Sequence, residues 1–193
     1  MISPTAIINL NHLQHNIKYL KSLCGSTQLY PVIKADAYGH GITKIFKFLS
    51  TQSIEGVCVA TCSEILEVAM LNLNMNILHL GRISLINKKL FNKKIIYTIN
   101  CIEDINYIDE VCGKKNKKIR CYIKVDTGMN RMGCKESDFI TIFKQTISSK
   151  YIKLEGIYSH LACAEDDNSQ NNKAQINLFQ KIINLSKDYD LKY

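Results

Sequence analysis

No stretch of this sequence is apolar for long enough to cross a bilayer. Its opening residues, Met1-Ile2-Ser3-Pro4-Thr5, carry neither the charged region nor the small-residue cleavage site of a secretory signal. Both absences argue against a membrane or exported protein, and a cytoplasmic location is the default expectation. The sequence has no Cys-x-x-Cys pair, although there are eight cysteines: Cys24, Cys58, Cys62, Cys101, Cys112, Cys121, Cys134 and Cys163. A zinc centre wants thiolates paired at short spacing. No metal is therefore expected, and in a reducing compartment buried free thiols are the better reading. Proline occurs only twice, and no low-complexity linker is visible. The dinucleotide fingerprint G-x-G-x-x-G and the P-loop are both missing.

What is present fits a globular chain. A length of 193 residues suggests one large domain or part of a bigger one. Such a chain can bury roughly two thirds of its unfolded surface. A hydrophobic fraction of 46% is too high for a disordered protein. The net charge is +8, but the lysines are scattered. The one dense cluster, Lys114-Lys115-Asn116-Lys117-Lys118, falls between a helical and a strand-like segment. A basic loop can bind phosphate backbones. Here Lys and Asn are abundant throughout, so a solvated loop is the expectation and nucleic acid is not an expected partner.

Strand-like and helix-like patterns alternate along the chain. Leu10, Leu13, Ile17 and Leu20 recur at helical spacing until Gly25. Residues 29–35 read as a strand, and Ile42, Ile45, Phe46 and Leu49 as a helical stripe. Residues 56–60 form the next strand. Thr61, three residues before Glu64, predicts a capping box for a helix through Leu71. Strands follow at 76–80, 95–99, 119–125 and 154–159. Between and after them come helices marked by Ile102, Ile105 and Ile108, by Phe139, Ile142, Phe143 and Ile147, and by Ile176, Phe179, Ile183 and Ser186.

About six βα units in series imply a parallel sheet, because each strand needs a crossover helix. The architectures open to such a chain are a doubly wound sheet and a (β/α)₈ barrel. The missing fingerprint argues for the barrel. A closed barrel needs eight strands, and an open parallel sheet would expose two unpaired edges. The expected fold is therefore an incomplete α/β barrel of the (β/α)₈ TIM type, with the chain a fragment or truncated product.

Polar residues gather at three strand ends. The first is Lys34-Ala35-Asp36-Ala37-Tyr38-Gly39-His40-Gly41. The second is Lys124-Val125-Asp126-Thr127-Gly128-Met129-Asn130-Arg131-Met132-Gly133, and the third starts Ser159-His160-Leu161-Ala162. In a barrel such ends meet at one mouth, where active sites lie. Partial desolvation favours the neutral form of a lysine amine, the form that adds to a carbonyl. Lys34 is thus a candidate Schiff-base former, the alternative being a lysine that snorkels to solvent. Tyr38 offers a hydroxyl to an anionic group, and His40 reads as a plain loop residue. The guanidinium of Arg131 suits bidentate carboxylate capture, the alternative being a surface arginine. Asp126 in D-T-G reads as a turn-capping carboxylate.

The octapeptide K-A-D-A-Y-G-H-G and the decapeptide K-V-D-T-G-M-N-R-M-G resemble the two site motifs of alanine racemases. Thr5-Ala6-Ile7-Ile8-Asn9-Leu10, His15-Asn16 and Ser159-His160-Leu161-Ala162 are also similar to that family, in the same order along the chain. The resemblance implies that residues 1–193 are the N-terminal portion of a barrel binding pyridoxal 5'-phosphate. Lys34 would form the internal aldimine and act as the base for the D-enantiomer, one of two bases. Tyr38 would bond the cofactor phosphate. Arg131 would bind the substrate carboxylate and touch the cofactor, with Met129 near the substrate. Lys124, carbamylated in many relatives, would buttress Arg131, and His160 would support from behind. The implied reaction is interconversion of L- and D-alanine for peptidoglycan, in a homodimer.

The family's C-terminal β-domain, with the tyrosine that serves as second base, has no counterpart here. Tyr151, Tyr158, Tyr189 and Tyr193 sit in no comparable context. The 193-residue chain alone is therefore expected to be inactive. Competing readings are a decarboxylase of basic amino acids on the same barrel, a non-catalytic pyridoxal-phosphate-binding barrel, and a degraded racemase remnant.

Overall fold

The structure, a computed structural model, describes residues 5–86, 91, 94–166, 168–189 and 191. The readings that rest on Met1–Pro4 and Tyr193 lie outside these residues. Two compact units divide the chain, Met1–Gly81 and Arg82–Tyr193. Among the described residues no helix is long and apolar enough to cross a membrane.

The first unit opens with α1 (Leu10–Cys24), started by the Asn9 side chain, which accepts from the Asn11 and His12 N–H groups, and closed by Gly25 at φ 58°. Its apolar stripe buries less than the spacing predicts: Ile17 is buried, whereas Leu10 and Leu20 stay about 40% exposed. The strand expected at 29–35 is reduced to one bridge, Val32 opposite Cys58. Pro31 has no N–H to give a ladder, and the backbone leaves the extended region at Ile33, whose ψ is 24°. A short segment, α2 (Lys34–Gly39), follows. Next comes α3 (Ile42–Leu49), with all four stripe residues, Ile42, Ile45, Phe46 and Leu49, buried. Strand β1 (Gly56–Val59) is buried throughout, as a parallel strand covered on both faces should be. The capping box predicted at Thr61 and Glu64 opens α4 (Cys62–Met70). Strand β2 (Asn76–His79) runs parallel to β1, from Gly56 opposite Asn76 to Val59 opposite His79.

The second unit starts with a 3₁₀ turn, Ile83–Leu85. It then alternates β3 (Ile95–Ile99), α5 (Ile102–Gly113), β4 (Ile119–Lys124), α6 (Glu136–Ser148), β5 (Ile152–Tyr158) and α7 (Gln170–Ser186). Strand β4 pairs in parallel with both β3 and β5. Pairing of β4 with β5 slips at Glu155, because Cys121 faces Leu154 but Tyr122 faces Gly156. Strand β5 starts two residues earlier than the sequence pattern suggests. Phe139, Ile142 and Phe143 of α6 are buried as expected, with Thr146 rather than Ile147 completing the face. In α7 the inward face carries Gln175, Ile182 and Ser186, while Ile176, expected inside, is 54% exposed. The basic cluster lies between α5 and β4, where Lys114 pairs with Glu110 across two exposed side chains. All eight cysteines are free, and Cys58, Cys112, Cys121 and Cys134 are buried.

Candidate active site

Lys34 is half-buried at the head of α2, two residues past the Val32 bridge. The four residues that follow, Ala35, Asp36, Ala37 and Tyr38, all have φ of 50–55° and ψ of 39–54°. This is a left-handed turn built without glycine. Each non-glycine residue in that region costs about 1–2 kcal/mol, so the turn persists only if its surroundings over-determine it. They do. The Ala37 N–H donates to Ile33 O at 3.0 Å and the Gly41 N–H to Asp36 O at 2.9 Å. The Asp36 carboxylate accepts from the Ile42 N–H at 2.7 Å, tying the turn to the start of α3. His40, read from sequence as a plain loop residue, has a job here: its Nδ1 bonds the Ala37 carbonyl at 2.8 Å and the Tyr38 carbonyl at 3.2 Å. Gly39 and Gly41, at φ 82° and 88°, let the chain leave the turn.

A carboxylate from α4 completes the bracing. Glu64 accepts from the Ala35 N–H through Oε1 at 2.7 Å. Through Oε2 it accepts from the Ala60 and Thr61 N–H groups at 2.7 and 3.0 Å. Burial pushes this carboxyl up, but the N–H donors of Ala60, Ala35 and Thr61 and the Thr61 hydroxyl outweigh it and hold the group below its ordinary range. The Ala60 carbonyl is gripped by His79, whose Nε2 lies 3.1 Å away. Since a carbonyl only accepts, Nε2 carries the proton. Burial keeps the imidazole neutral, with its pKa pushed down to about 4.

This surface leaves Lys34 and Tyr38 accessible. Tyr38 is 59% exposed, and the Lys34 ammonium lies 6.0 Å from its ring centre. A cleft of about 390 Å³ runs beside the turn past Val32, Ile33, Ala37 and His40, but Lys34 does not line it.

In the second unit the expected site residues lie at the ends of β4 and β5. Lys124 closes β4 and is 5% exposed, with its ammonium 5.8 Å from the centre of the Tyr158 ring. The following loop is pinched at its base, Cys134 N–H to Lys124 O and Asp126 N–H to Cys134 O, both at 2.9 Å. Asp126 caps the loop as expected, accepting from Gly128 N–H at 2.9 Å and Asn130 N–H at 3.0 Å. Burial raises its carboxyl, yet the N–H groups of Gly128, Asn130, Met129 and Arg131 bring it below the usual value. Arg131 is held out into solvent and Met129 is half-buried. His160, also exposed, follows Ser159 past the end of β5.

Sequence reasoning missed what joins these two loops. Gln175 of α7, 2% exposed, donates from Nε2 to the Thr127 hydroxyl at 3.1 Å and to the His160 carbonyl at 2.9 Å. Its Oε1 accepts from the Ala162 N–H at 2.9 Å. Thr127 also meets the Ser159 hydroxyl at 2.7 Å, and Ser159 donates to Val125 O at 2.8 Å. The only signal was a glutamine one position from the apolar stripe, which reads as surface by residue type. Glu64 was found only as a cap; nothing in its spacing shows that its second oxygen reaches Ala35.

Residues 8–192 match the family "Alanine racemase, N-terminal domain". The chain is 33% identical over 190 residues to an alanine racemase of Borreliella burgdorferi, covering 98% of this chain and 50% of that protein. It is 31% identical over 199 residues to one of Sorangium cellulosum, covering 97% and 52%. Among solved structures, an alanine racemase of Clostridium difficile 630 superposes with a TM-score of 0.85 at 28% identity, covering 95% of this chain and 49% of that one. The chain thus spans about half the length of the curated relatives it matches. The likeness fixes the fold as the α/β, part-barrel class expected from the sequence, with parallel pairing of β1 with β2 in the first unit and of β3, β4 and β5 in the second.

Proposed function

Because this chain belongs to the alanine racemase family, we propose that it supplies the cofactor-lysine half of a pyridoxal-phosphate-dependent isomerase that interconverts L- and D-alanine. The observation that carries the reading is the half-buried residue Lys34 at the head of a strained, over-determined left-handed turn. Strain held in place by many bonds marks positions where geometry serves a ligand.

The donor set suits the cofactor. A primary amine for an aldehyde and an exposed phenol for a phosphate stand four residues apart on one rigid turn. Bound pyridoxal phosphate would act as the electron sink that makes an alanine α-proton removable. The work of this chain is then to hold and move groups. Lys34 would hold the cofactor, and its amine would serve as the group that takes the α-proton of D-alanine and gives it back on that same face. Tyr38 donates to the cofactor phosphate. Arg131 receives the substrate carboxylate in a two-pronged grip that lysine could not copy, and also contacts the cofactor. Lys124, buried at the base of the same loop, backs Arg131. Met129 bounds the substrate, and His160 supports from behind. The reading extends to a cytoplasmic homodimer whose D-alanine feeds peptidoglycan.

The test is exchange of the D-alanine α-proton for deuterium, followed by NMR in D₂O with cofactor-loaded protein. Exchange that vanishes in Lys34→Ala is the expected result. Cofactor-loaded protein that exchanges no alanine proton would point to a non-catalytic cofactor-binding barrel instead.

A further inference from the structure

We infer that Glu64, on α4, is the positioning residue for Lys34: its carboxylate clamps the peptide after the lysine to the end of β1 and so fixes the direction of the reactive amine. The inference rests on the reading of Lys34 as the cofactor lysine.

A capping-box glutamate needs only to reach back to the N-cap N–H, and Glu64 does this through Oε2 to Thr61. Its other oxygen is spent on Ala35, 29 residues away in sequence and next to Lys34. This contact lies at the first left-handed residue, directly after Lys34 and three residues past the bridge at Val32. At that point one free rotation would redirect the Lys34 side chain. The other bonds to the turn fall further along, at Ala37, His40, Gly41 and Ile42. Among the described contacts, Glu64 is the side chain that fixes the lysine's own end of the turn. The far side of the clamp is rigid as well. The peptide at Ala60 gives its N–H to Glu64 and its carbonyl to His79, and His79 closes β2. The line from sheet to amine therefore passes through β2, His79, Ala60, Glu64 and Ala35, all within the first unit. It also explains a spatial economy at Gly81: a Cβ there would lie 2.4 Å from Ala60 O and 2.8 Å from His79 Nε2, so only glycine leaves room for this peptide.

Two variants separate positioning from simple helix capping. Glu64→Ala removes both arms of the clamp. Thr61→Ala removes the hydroxyl that accepts from the Glu64 N–H and weakens the α4 cap, but leaves the contact to Ala35. The readouts are the affinity of the 193-residue chain for pyridoxal phosphate, by absorbance titration, and hydrogen exchange of the Ala35 amide. Glu64→Ala should bind the cofactor about ten- to a hundredfold more weakly, the factor a charge-assisted hydrogen bond supports. Ala35 should lose its protection, and borohydride should still mark Lys34. Thr61→Ala should leave both readouts near wild type. Unchanged affinity and protection in Glu64→Ala, or equal losses in both variants, would overturn the inference. Should Glu64→Ala not fold, Glu64→Gln replaces it: the amide offers one acceptor oxygen for two sets of donors, so Ala35 protection or the cap must suffer, and loss of the cap alone counts against the inference. If the unaltered chain does not take the cofactor on Lys34, the functional reading fails, while the Ala35 amide still decides whether Glu64 holds the turn.

Discussion

Replacing Gly133 by alanine should damage the Arg131 loop through backbone contacts that cannot yield. Gly133 has φ 121°, and a Cβ on it would lie 2.7 Å from Asp126 N, 2.9 Å from Val125 C and 3.1 Å from Lys124 O. All three are main-chain atoms where β4 ends and the loop is pinched by the Cys134 bonds. The dihedral alone costs an alanine about 1–3 kcal/mol. Overpacking of this kind adds about 1–3 kcal/mol, giving about 2–6 kcal/mol in all. Gly25 provides the control. It also has positive φ, 58°, but a Cβ there meets nothing within 4 Å, so Gly25→Ala carries the dihedral cost without the clash. With a urea slope of about 2 kcal/mol/M, Gly133→Ala should lower the unfolding midpoint by about 1–3 M. Gly25→Ala should lower it by clearly less. Equal midpoints for the two variants would refute the reasoning, since they would mean that the pinched loop relaxes freely around a new methyl group.

Three further outcomes follow from the same geometry. Gln175→Leu removes three hydrogen bonds, to the half-buried Ala162 N–H, the Thr127 hydroxyl and the His160 carbonyl, and should cost about 2–4 kcal/mol in urea unfolding, whereas Ile176→Gln, on the exposed side, should stay within about 0.5 kcal/mol; the reverse order would put the wrong face of α7 inside. His79, with its pKa depressed to about 4, makes the unfolded chain bind more protons than the folded one between about pH 6.5 and 4. Stability should therefore fall by about 2 kcal/mol from pH 7 to 5, above the range where the depressed carboxyls of Glu55, Glu64 and Asp126 begin to matter; His79→Gln showing the same fall would assign it elsewhere. Burial pushes the Cys58 and Cys134 thiols up to about 12, so at pH 8 they are about one part in ten thousand thiolate. A maleimide mass map should find them unlabelled in native protein while Cys24, Cys62 and Cys163 react, and early labelling of Cys134 would show the loop base to be open.

Much of the fold is written in local pattern. The α3 stripe, the Thr61–Glu64 capping box and the strands at 56–59, 76–79, 95–99 and 119–124 follow from period and cap chemistry. What escaped depends on contacts distant in sequence. Nothing in Ala35-Asp36-Ala37-Tyr38 asks for a left-handed turn, because these residues disfavour it individually; the turn exists because Glu64 and His40 bond it. Residues 29–35 look like a strand for the same reason, with propensity overridden by the turn that follows. Gln175 gave no signal in the sequence, where glutamine reads as a surface residue by type, and only the fold reveals three partners converging on it. The motif residues themselves were legible, but only as a string; that Lys124 is buried while Arg131 is exposed required the structure.

The central claim is that Lys34 holds the cofactor. Borohydride reduction of the protein incubated with pyridoxal phosphate, followed by peptide mapping, tests it most directly. The account predicts a single stable adduct on Lys34, lost in Lys34→Ala and undiminished in Lys44→Ala. An adduct on Lys44, Lys47 or Lys124 in place of Lys34, or none at all, would contradict it.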